Sequence, residues 1–438
     1  MNDTIVALAS AAGAAGIAVV RVSGPKVPEI IMKLGLSLKP RYASYAPIKD
    51  NQVIDYGLWL YFPAPDSFTG EHVLEFHGHG NVWLIDAVIT RFCELGCRHA
   101  EPGEFSKRAF LNDKLDLTQA EAIADLVNAS SKVAAKMALA SLEGAFSKEV
   151  GKLVDLVIES RVQLEAALDF PDEDFEPAAQ KAIKSRLSNI STQVSKVLKQ
   201  AEHGAVVQSG INVVLAGPPN VGKSSMFNAL LGREEAIVTD EAGTTRDVLS
   251  KECRIGSTVI TLQDTAGVHL ATNKVEVLGI ERAKSKLEQA DIIILVLDDR
   301  YAKSGHESFI SENSVPKEKQ IIRVWNKIDL MNIHEVDGIK LSVKQNLGFD
   351  GLIQALNSAV ELYSGSDGHA FSARFRHVEA LRAVAKYLAS AISAIDLCQW
   401  ELAAEDCRQI QYQLNTITGE FSNDDLLGKI FSTFCIGK

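Results

Sequence analysis

The segment that most constrains this chain begins at Ile211. An apolar run, Ile211–Ala216, leads directly into Gly217-Pro218-Pro219-Asn220-Val221-Gly222-Lys223-Ser224, and a helix-forming stretch follows at Ser225–Leu231. Strand, glycine-bounded loop and helix in this order match G-x-x-x-x-G-K-[ST]. In that pattern the backbone N–H groups and the helix N-terminus wrap phosphates. Lys223 then neutralises the β and γ phosphates, and Ser224 ligates Mg²⁺. The surrounding texture agrees. Short apolar runs at Ile211–Ala216, Val259–Leu262, Ile292–Leu297 and Ile321–Trp325 alternate with helical stretches to about Leu362. Continuous apolar strands alternating with helices imply a mainly parallel sheet covered on both faces.

The rest of the chain reads differently. Residues 1–116 are mixed, with strand-like runs Tyr56–Tyr61 and His72–Phe76 and a helical stretch Val82–Cys93. From Leu117 the period is helical, with Thr118-x-x-Glu121 as a capping-box start and one apolar face running through Met137, Phe146, Val157 and Leu168. A second face runs Ile183, Leu187, Ile190, Val194, Val197 and Ala201. Helices return from Phe375, after the linker-like Ser364–Gly368. The 438 residues suggest about three domains. The expected fold is α/β plus all-α: an N-terminal α/β domain (1–116), then one helical domain in two parts (117–208 and 365–438) interrupted by an inserted α/β domain (209–364). Insertion is plausible because domain termini often lie close together.

Composition narrows the class. With 46% hydrophobic and 23% charged residues the chain buries real cores, which excludes a mainly disordered or collagen-like chain. The net charge of −11 excludes a general polyanion binder, so any nucleic acid must meet a local basic patch. Arg374, Arg376, Arg382 and Lys386 form one candidate; the alternative is a solvated helix face. The six cysteines are sparse and unpatterned, which fits a reducing cytoplasm. The Cys93/Cys97 pair with His99 lacks a second metal half-site, and His77-Gly78-His79 lacks an evident third ligand. Both are read as structural. The apolar run Thr4–Val20 mimics a signal peptide but lacks a positive leader, and its glycines suit a strand–loop–strand unit. No other run reaches the roughly 18 residues a membrane span needs. A soluble protein is expected.

Three elements downstream of the phosphate loop specify the nucleotide. Gly243-Thr244-Thr245-Arg246-Asp247 offers a threonine to the metal. Asp264-Thr265-Ala266-Gly267 ends a strand, with Asp264 in the magnesium shell and the Gly267 N–H facing the γ phosphate. Asn326-Lys327-Ile328-Asp329 follows a strand, and its Asp329 carboxylate accepts from N1–H and the exocyclic amine of guanine. Adenine lacks those donors on that edge, so the set selects GTP over ATP. Ser342-Val343-Lys344 sits where a backbone contact to the guanine oxygen is expected. Val268 occupies the position of the water-orienting Gln of small GTPases and cannot position water. Glu276 and Glu281 are the nearby acidic candidates, and spacing alone reads them as solvated helix-face carboxylates.

Phe68-Thr-Gly-Glu71, Pro102-Gly-Glu-Phe105, Arg108-Ala-Phe-Leu-Asn-Asp-Lys114, Leu117-Thr-Gln-Ala-Glu-Ala122, Asp169-Phe-Pro-Asp-Glu173 and the terminal Cys435-Ile-Gly-Lys438 join these nucleotide motifs. Together they resemble the MnmE (TrmE) family of bacterial tRNA-modification GTPases over the full length. The resemblance implies an N-terminal domain that dimerises and binds a 5-formyl- or methylene-tetrahydrofolate donor. It also implies a Ras-like GTPase domain inserted in the helical one, and a partner, MnmG (GidA), that uses FAD and NADH. The two form a heterotetramer or larger complex, and together the family adds aminomethyl-type groups (aminomethyl or carboxymethylaminomethyl) to C5 of wobble uridine in certain tRNAs. By motif, Glu276 corresponds to the water-orienting glutamate, which answers Val268. Asn220 corresponds to a K⁺ ligand, with Thr239, Glu241 and Thr244 from the Thr239–Thr244 loop. Thr245 joins Ser224 on Mg²⁺, and Ser225, Asp240 and Ala242 complete the GTP contacts. Arg21, Glu75, Lys114 and Lys438 match folate positions, with cations suited to glutamyl carboxylates and Glu75 to pterin donors. Cys435 matches a cysteine at the modification site, read either as a nucleophile or as an exposed tail thiol. Ala11-Ala12-Gly13 departs from the family's Pro-Pro-Gly. A competing reading is a GTP-switched RNA-binding or assembly factor with no need of folate; a free-standing one-carbon transferase is disfavoured by the intact phosphate loop.

Overall fold

The computed structural model describes residues 3–129, 131–169, 177–232, 250–255, 258–264, 287, 290–301, 319–330, 337–364, 371–420 and 424–437. It divides into two compact units, each discontinuous in sequence. One comprises residues 1–127, 141–195 and 379–438, the other residues 128–140 and 196–378.

In the first unit, β1 (Ile5–Leu8) and β2 (Ala15–Ser23) form the expected strand–loop–strand pair, with Ile5 opposite Ser23. α1 (Val27–Lys33), β3 (Ser44–Lys49), β4 (Val53–Phe62), β5 (Val73–Gly80), α2 (Val82–Glu94), β6 (Arg98–His99) and α3 (Glu104–Leu111) follow. The strand order is β3-β4-β5-β2-β1-β6, antiparallel except where β1 meets β6. Period-two alternation gives the sheet two faces. Val6, Val20, Val22, Trp59 and Phe76 pack with Ile30, Val88 and Phe92 on one. Ile5 and Ala7 turn the other way, to Phe105 of α3. Arg21, Ser23, Glu75 and His77 alternate onto this second face, Arg21 directly opposite Glu75.

The helical stretch after Leu117 is not one rod. It breaks into α4 (Leu117–Val127), α5 (Lys132–Leu142) and α6 (Ala145–Asp169), followed by α7 (Pro177–Ser209). The cap also differs from the expected Thr118/Glu121 box. Asp116 Oδ1 accepts from Gln119 N at 2.9 Å, and Gln119 Oε1 accepts from Asp116 N at 3.0 Å. The reciprocal box therefore sits two residues earlier, while Thr118 and Glu121 are buried. The second apolar face holds: Ile183, Leu187, Ile190, Val194, Val197 and Ala201 of α7 are all buried.

The second unit carries β7 (Ile211–Ala216), α8 (Lys223–Leu231), β8 (Ser250–Ile255), β9 (Thr258–Asp264), β10 (Ile292–Leu297), β11 (Gln320–Trp325), β12 (Ile339–Lys340) and α9 (Phe349–Ser364). The sheet order is β12-β11-β10-β7-β9-β8, parallel as expected except for the β8–β9 hairpin. Ile292–Leu297 is buried at every position, as a strand covered on both faces must be. Beyond it α10 (Phe375–Asp396), α11 (Trp400–Thr418) and α12 (Asp424–Phe431) return to helix. Within the first unit, Leu427, Ile430, Phe431 and Phe434 close a core with Leu117, Ala120 and Ala124 of α4. Among the described residues no helix is long and apolar enough to cross a membrane.

Candidate functional site

The loop after β7 opens at the carboxyl ends of the parallel strands. β9 lies on one side of β7 and β10 on the other, so the strand order reverses there, which is where open α/β sheets bind ligands. Gly222, at φ 100°, starts α8 so close to Asn326 that a Cβ would overlap the Asn326 amide. Asn326, 3% exposed, is the junction of the site. Its Nδ2 donates to the Val221 carbonyl at 2.8 Å, and its Oδ1 accepts from Lys327 N at 2.8 Å and Val343 N at 3.2 Å. One buried amide thus ties the phosphate loop, the end of β11 and the 342–344 segment together. Ser342 Oγ donates to Asp329 Oδ1 at 2.6 Å and accepts from Gln345 N at 3.2 Å, which orients the carboxylate expected to read the base. Lys344 is exposed beside them, and Ser224 and Ser225 are exposed on the first turn of α8.

Lys223 Nζ is buried and donates to the Gly217 and Pro218 carbonyls at 2.9 and 2.8 Å. These two oxygens stand where phosphate oxygens would compete for the same ammonium, so the loop fits a polyphosphate. Sequence reasoning missed two residues here, Asp298 and Arg300. Lys327 Nζ donates to the Asn220 carbonyl at 2.6 Å and to Asp298 Oδ2 at 3.0 Å. Arg300 Nη2 donates to the same carboxylate oxygen at 2.8 Å and to the same carbonyl at 3.3 Å. Burial pushes the Asp298 carboxyl up, but the hydrogen bonds from Arg300 and Lys327 outweigh it and hold the group below the usual range. Asn220, at φ 61°, is thereby pinned at the loop apex. The signal available in sequence was an acidic residue ending a fully apolar strand run.

Thr239, Asp240, Glu241, Ala242, Gly243, Thr244, Thr245, Thr265, Ala266, Gly267, Glu276 and Lys438 lie outside the described residues. Of Asp264 only the backbone is described, at the end of β9.

Of the second predicted set, Arg21 and Glu75 meet on the second face of the N-terminal sheet. Arg21 Nε donates to Glu75 Oε1 at 2.8 Å, and His77 Nε2 meets Glu75 Oε2 at 3.0 Å. Burial raises the Glu75 carboxyl, while the Arg21 charge and the bonds from His77 and Arg21 outweigh it and lower it overall. The Arg21 guanidinium lies 5.6 Å from the Phe68 ring centroid and 5.8 Å from that of Phe105. His79 turns to a different carboxylate, Asp55 Oδ1, at 2.8 Å, so each histidine of the pair has its own partner. No group of His, Cys, Asp or Glu able to hold a metal occurs among the described residues. Lys114 is exposed. Cys435 is exposed, and its carbonyl accepts from Gly103 N at 3.3 Å, which brings the C-terminal tail to the loop before α3. Burial pushes the Cys97 and Cys407 thiols up to about 12, so neither supplies a thiolate near neutrality.

Asp3, Glu75 and Glu104 are all lowered in the folded state. Such groups add stability that is complete above their unfolded pKa, roughly 4, and lost as pH falls through the folded value. Urea midpoints are therefore expected to stay level as far as these groups are concerned from pH 7 to about 5, and to drop below about 4. A midpoint at pH 3 equal to that at pH 6 contradicts this.

Comparison with known proteins gives the family. The family description "GTP-binding protein TrmE N-terminus" matches residues 4–114, and "MnmE helical domain" matches residues 117–435. A protein of Hydrogenovibrio crunogenus named tRNA modification GTPase MnmE is 46% identical, covering 100% of this chain and 99% of its own length. A Pasteurella multocida protein of the same name is 48% identical over 100% of both. Among solved structures, Aquifex aeolicus Era aligns over 40% of this chain and 66% of its own at 26% identity, with a TM-score of 0.27. By the full-length relatives and the two matched domains, the chain belongs to the MnmE family of tRNA modification GTPases.

Proposed function

We propose that the chain hydrolyses GTP to drive modification of wobble uridine in tRNA. In this reading it works with an FAD- and NADH-using MnmG partner and takes a one-carbon unit from a tetrahydrofolate. The observation that carries the nucleotide half is the Asn326 junction, which holds phosphate loop and base-reading segment in one fixed relation. Ser224 and Thr245 would hold Mg²⁺, which supplies charge neutralisation at the β and γ phosphates. The Asn220 carbonyl already takes two cationic donors, so its side-chain oxygen is the atom offered to K⁺, with Thr239, Glu241 and Thr244 completing the set. Glu276 orients the water, since the Val268 side chain has no polar atom to do so.

Residues 1–116 dimerise and bind the folate, and residues 117–208 with 365–438 carry the GTPase segment 209–364. What supports the folate part is the Arg21–Glu75–His77 row beside Phe68. Each Glu75 oxygen takes one donor in the structure, and a carboxylate offers about four lone-pair sites, so acceptors remain for pterin N–H groups. Lys114 and Lys438 suit the glutamyl carboxylates, and Cys435 lies on the same tail as Lys438. The acidic balance means that tRNA is held locally, with Arg374, Arg376, Arg382 and Lys386 as the candidate patch. Steady-state turnover in matched KCl and NaCl tests the core of this reading. Hydrolysis is expected to be at least about tenfold faster in K⁺. Glu276→Ala is expected to keep GTP affinity and lose about 10²-fold or more in kcat. Equal rates in the two salts remove the cation, and an active Glu276→Ala variant removes the glutamate.

A further inference from the structure

We propose that Glu71 is a positioning residue of the N-terminal ligand face: it fixes the turn Ser67–Glu71 and so sets Phe68 against Arg21, with Lys114 beside the turn. The part of this that concerns ligand affinity rests on the folate reading above.

Arg108 stands at the centre of a charge cluster. Its side chain is 1% exposed. Nη1 donates to Glu71 Oε1 and Oε2 at 3.1 and 3.0 Å and to the Asp3 carbonyl at 2.9 Å. Nη2 donates to Asp3 Oδ1 at 2.8 Å and Glu104 Oε1 at 2.9 Å. Arg98 donates to two of the same carboxylates, at Asp3 Oδ2 and Glu104 Oε1, each at 2.6 Å. Two guanidinium groups therefore face three carboxylates, one negative charge in excess. Without Glu71 the cluster is balanced two against two, and Arg108 keeps Asp3 and Glu104. The charge balance of the fold does not require Glu71.

What Glu71 adds is attachment of the turn. Ser23 Oγ, on the same face of β2 as Arg21, donates to Glu71 Oε2 at 2.8 Å and lies 2.7 Å from Thr69 Oγ1. Asn112 Nδ2 donates to the Thr69 carbonyl at 2.7 Å. Gly70, at φ 76°, packs so closely that a Cβ would sit 3.3 Å from Lys114 Cε. The turn is thus tied to β2 on one side and to the end of α3 on the other, with Glu71 reaching both Ser23 and Arg108. Phe68, between these ties, is held against the Arg21 guanidinium. A ring, the Arg21 guanidinium and the Glu75 acceptor meet in one place, with Lys114 against the turn at Gly70, a combination suited to a planar heterocycle bearing carboxylates. Glu71 touches none of the ligand-facing atoms, so it acts through the turn.

The test compares wild type, Glu71→Ala and Glu71→Gln in the full chain. Three readouts are used: calorimetry with 5-formyltetrahydrofolate, amide hydrogen exchange of residues 68–71, and urea unfolding. Glu71→Ala is expected to bind about tenfold more weakly and to exchange the 68–71 amides about tenfold faster, at a near-native urea midpoint. Glu71→Gln is expected to recover most of both, because its amide oxygen still accepts from Ser23 and Arg108. Unchanged affinity and exchange in Glu71→Ala overturn the proposal. A loss that Glu71→Gln does not rescue and that follows a fallen midpoint overturns it too. If the wild type gives no heat, the folate reading falls, and the exchange comparison still decides whether Glu71 fixes the turn.

Discussion

Asp329→Asn is expected to turn the nucleotide preference from guanine to xanthine. The Asp329 carboxylate is oriented by Ser342 Oγ at 2.6 Å, and Ser342 is itself fully buried. In that orientation a carboxylate presents acceptors to the N1–H and the exocyclic amine of guanine. An asparagine held the same way presents one acceptor and one donor, so its N–H₂ faces the guanine amine, donor against donor. Xanthine carries a carbonyl at that position and restores the pair. Leaving polar groups unpaired in a site built to bond them is expected to weaken GDP on the order of 10³-fold. Competition against a fluorescent GDP analogue, with GDP and XDP as competitors, reads the change. The Asn326 junction does not involve the Asp329 side chain, so the loop itself is expected to survive and XDP to bind. A variant that still prefers GDP shows that Asp329 does not read the base.

Much of this site was legible because it is local. The phosphate loop, Asn326–Asp329 and Ser342–Lys344 are short segments after strands, and Ile292–Leu297 announced its strand by unbroken apolarity. What was not legible depends on pairings across the fold. Arg300 meets the Asn220 carbonyl 80 residues away, and only the adjacency of β10 to β7 brings them together. Arg21 and Glu75 could be named by motif, but their ion pair is a fact of β2–β5 register. The cap of α4 was misplaced for a different reason. Asp116/Gln119 and Thr118/Glu121 both satisfy the box spacing, and burial of the second pair decided between them. Period alone also carried one apolar face past the breaks between α4, α5 and α6, since short interruptions leave the apolar spacing of the sequence legible.

The largest stability effect is expected at Arg108, and its sign pattern follows from the same cluster. Arg108→Leu leaves Glu71, Glu104 and Asp3 facing Arg98 alone, three carboxylates against one cation. Glu104 is 3% exposed, so it cannot turn to water without opening α3. Removing one partner of a buried ion pair typically costs about 3–5 kcal/mol, far more than an exposed pair is worth. Urea unfolding at pH 7 is expected to show a loss of that order, whereas Glu71→Ala alone is expected to stay near the wild type. Combining the two changes supplies the decisive comparison. With Arg108 gone, Glu71 is an uncompensated anion, so deleting it in the Arg108→Leu background is expected to restore about 1 kcal/mol or more. An additive double variant, or an Arg108→Leu protein within about 1 kcal/mol of wild type, contradicts the charge account. The asymmetry is the point of the test: in a cluster with one surplus anion, losing the anion is tolerated while losing the shared cation is not. The chain is therefore free to use Glu71 for placing the ligand face rather than for holding the fold.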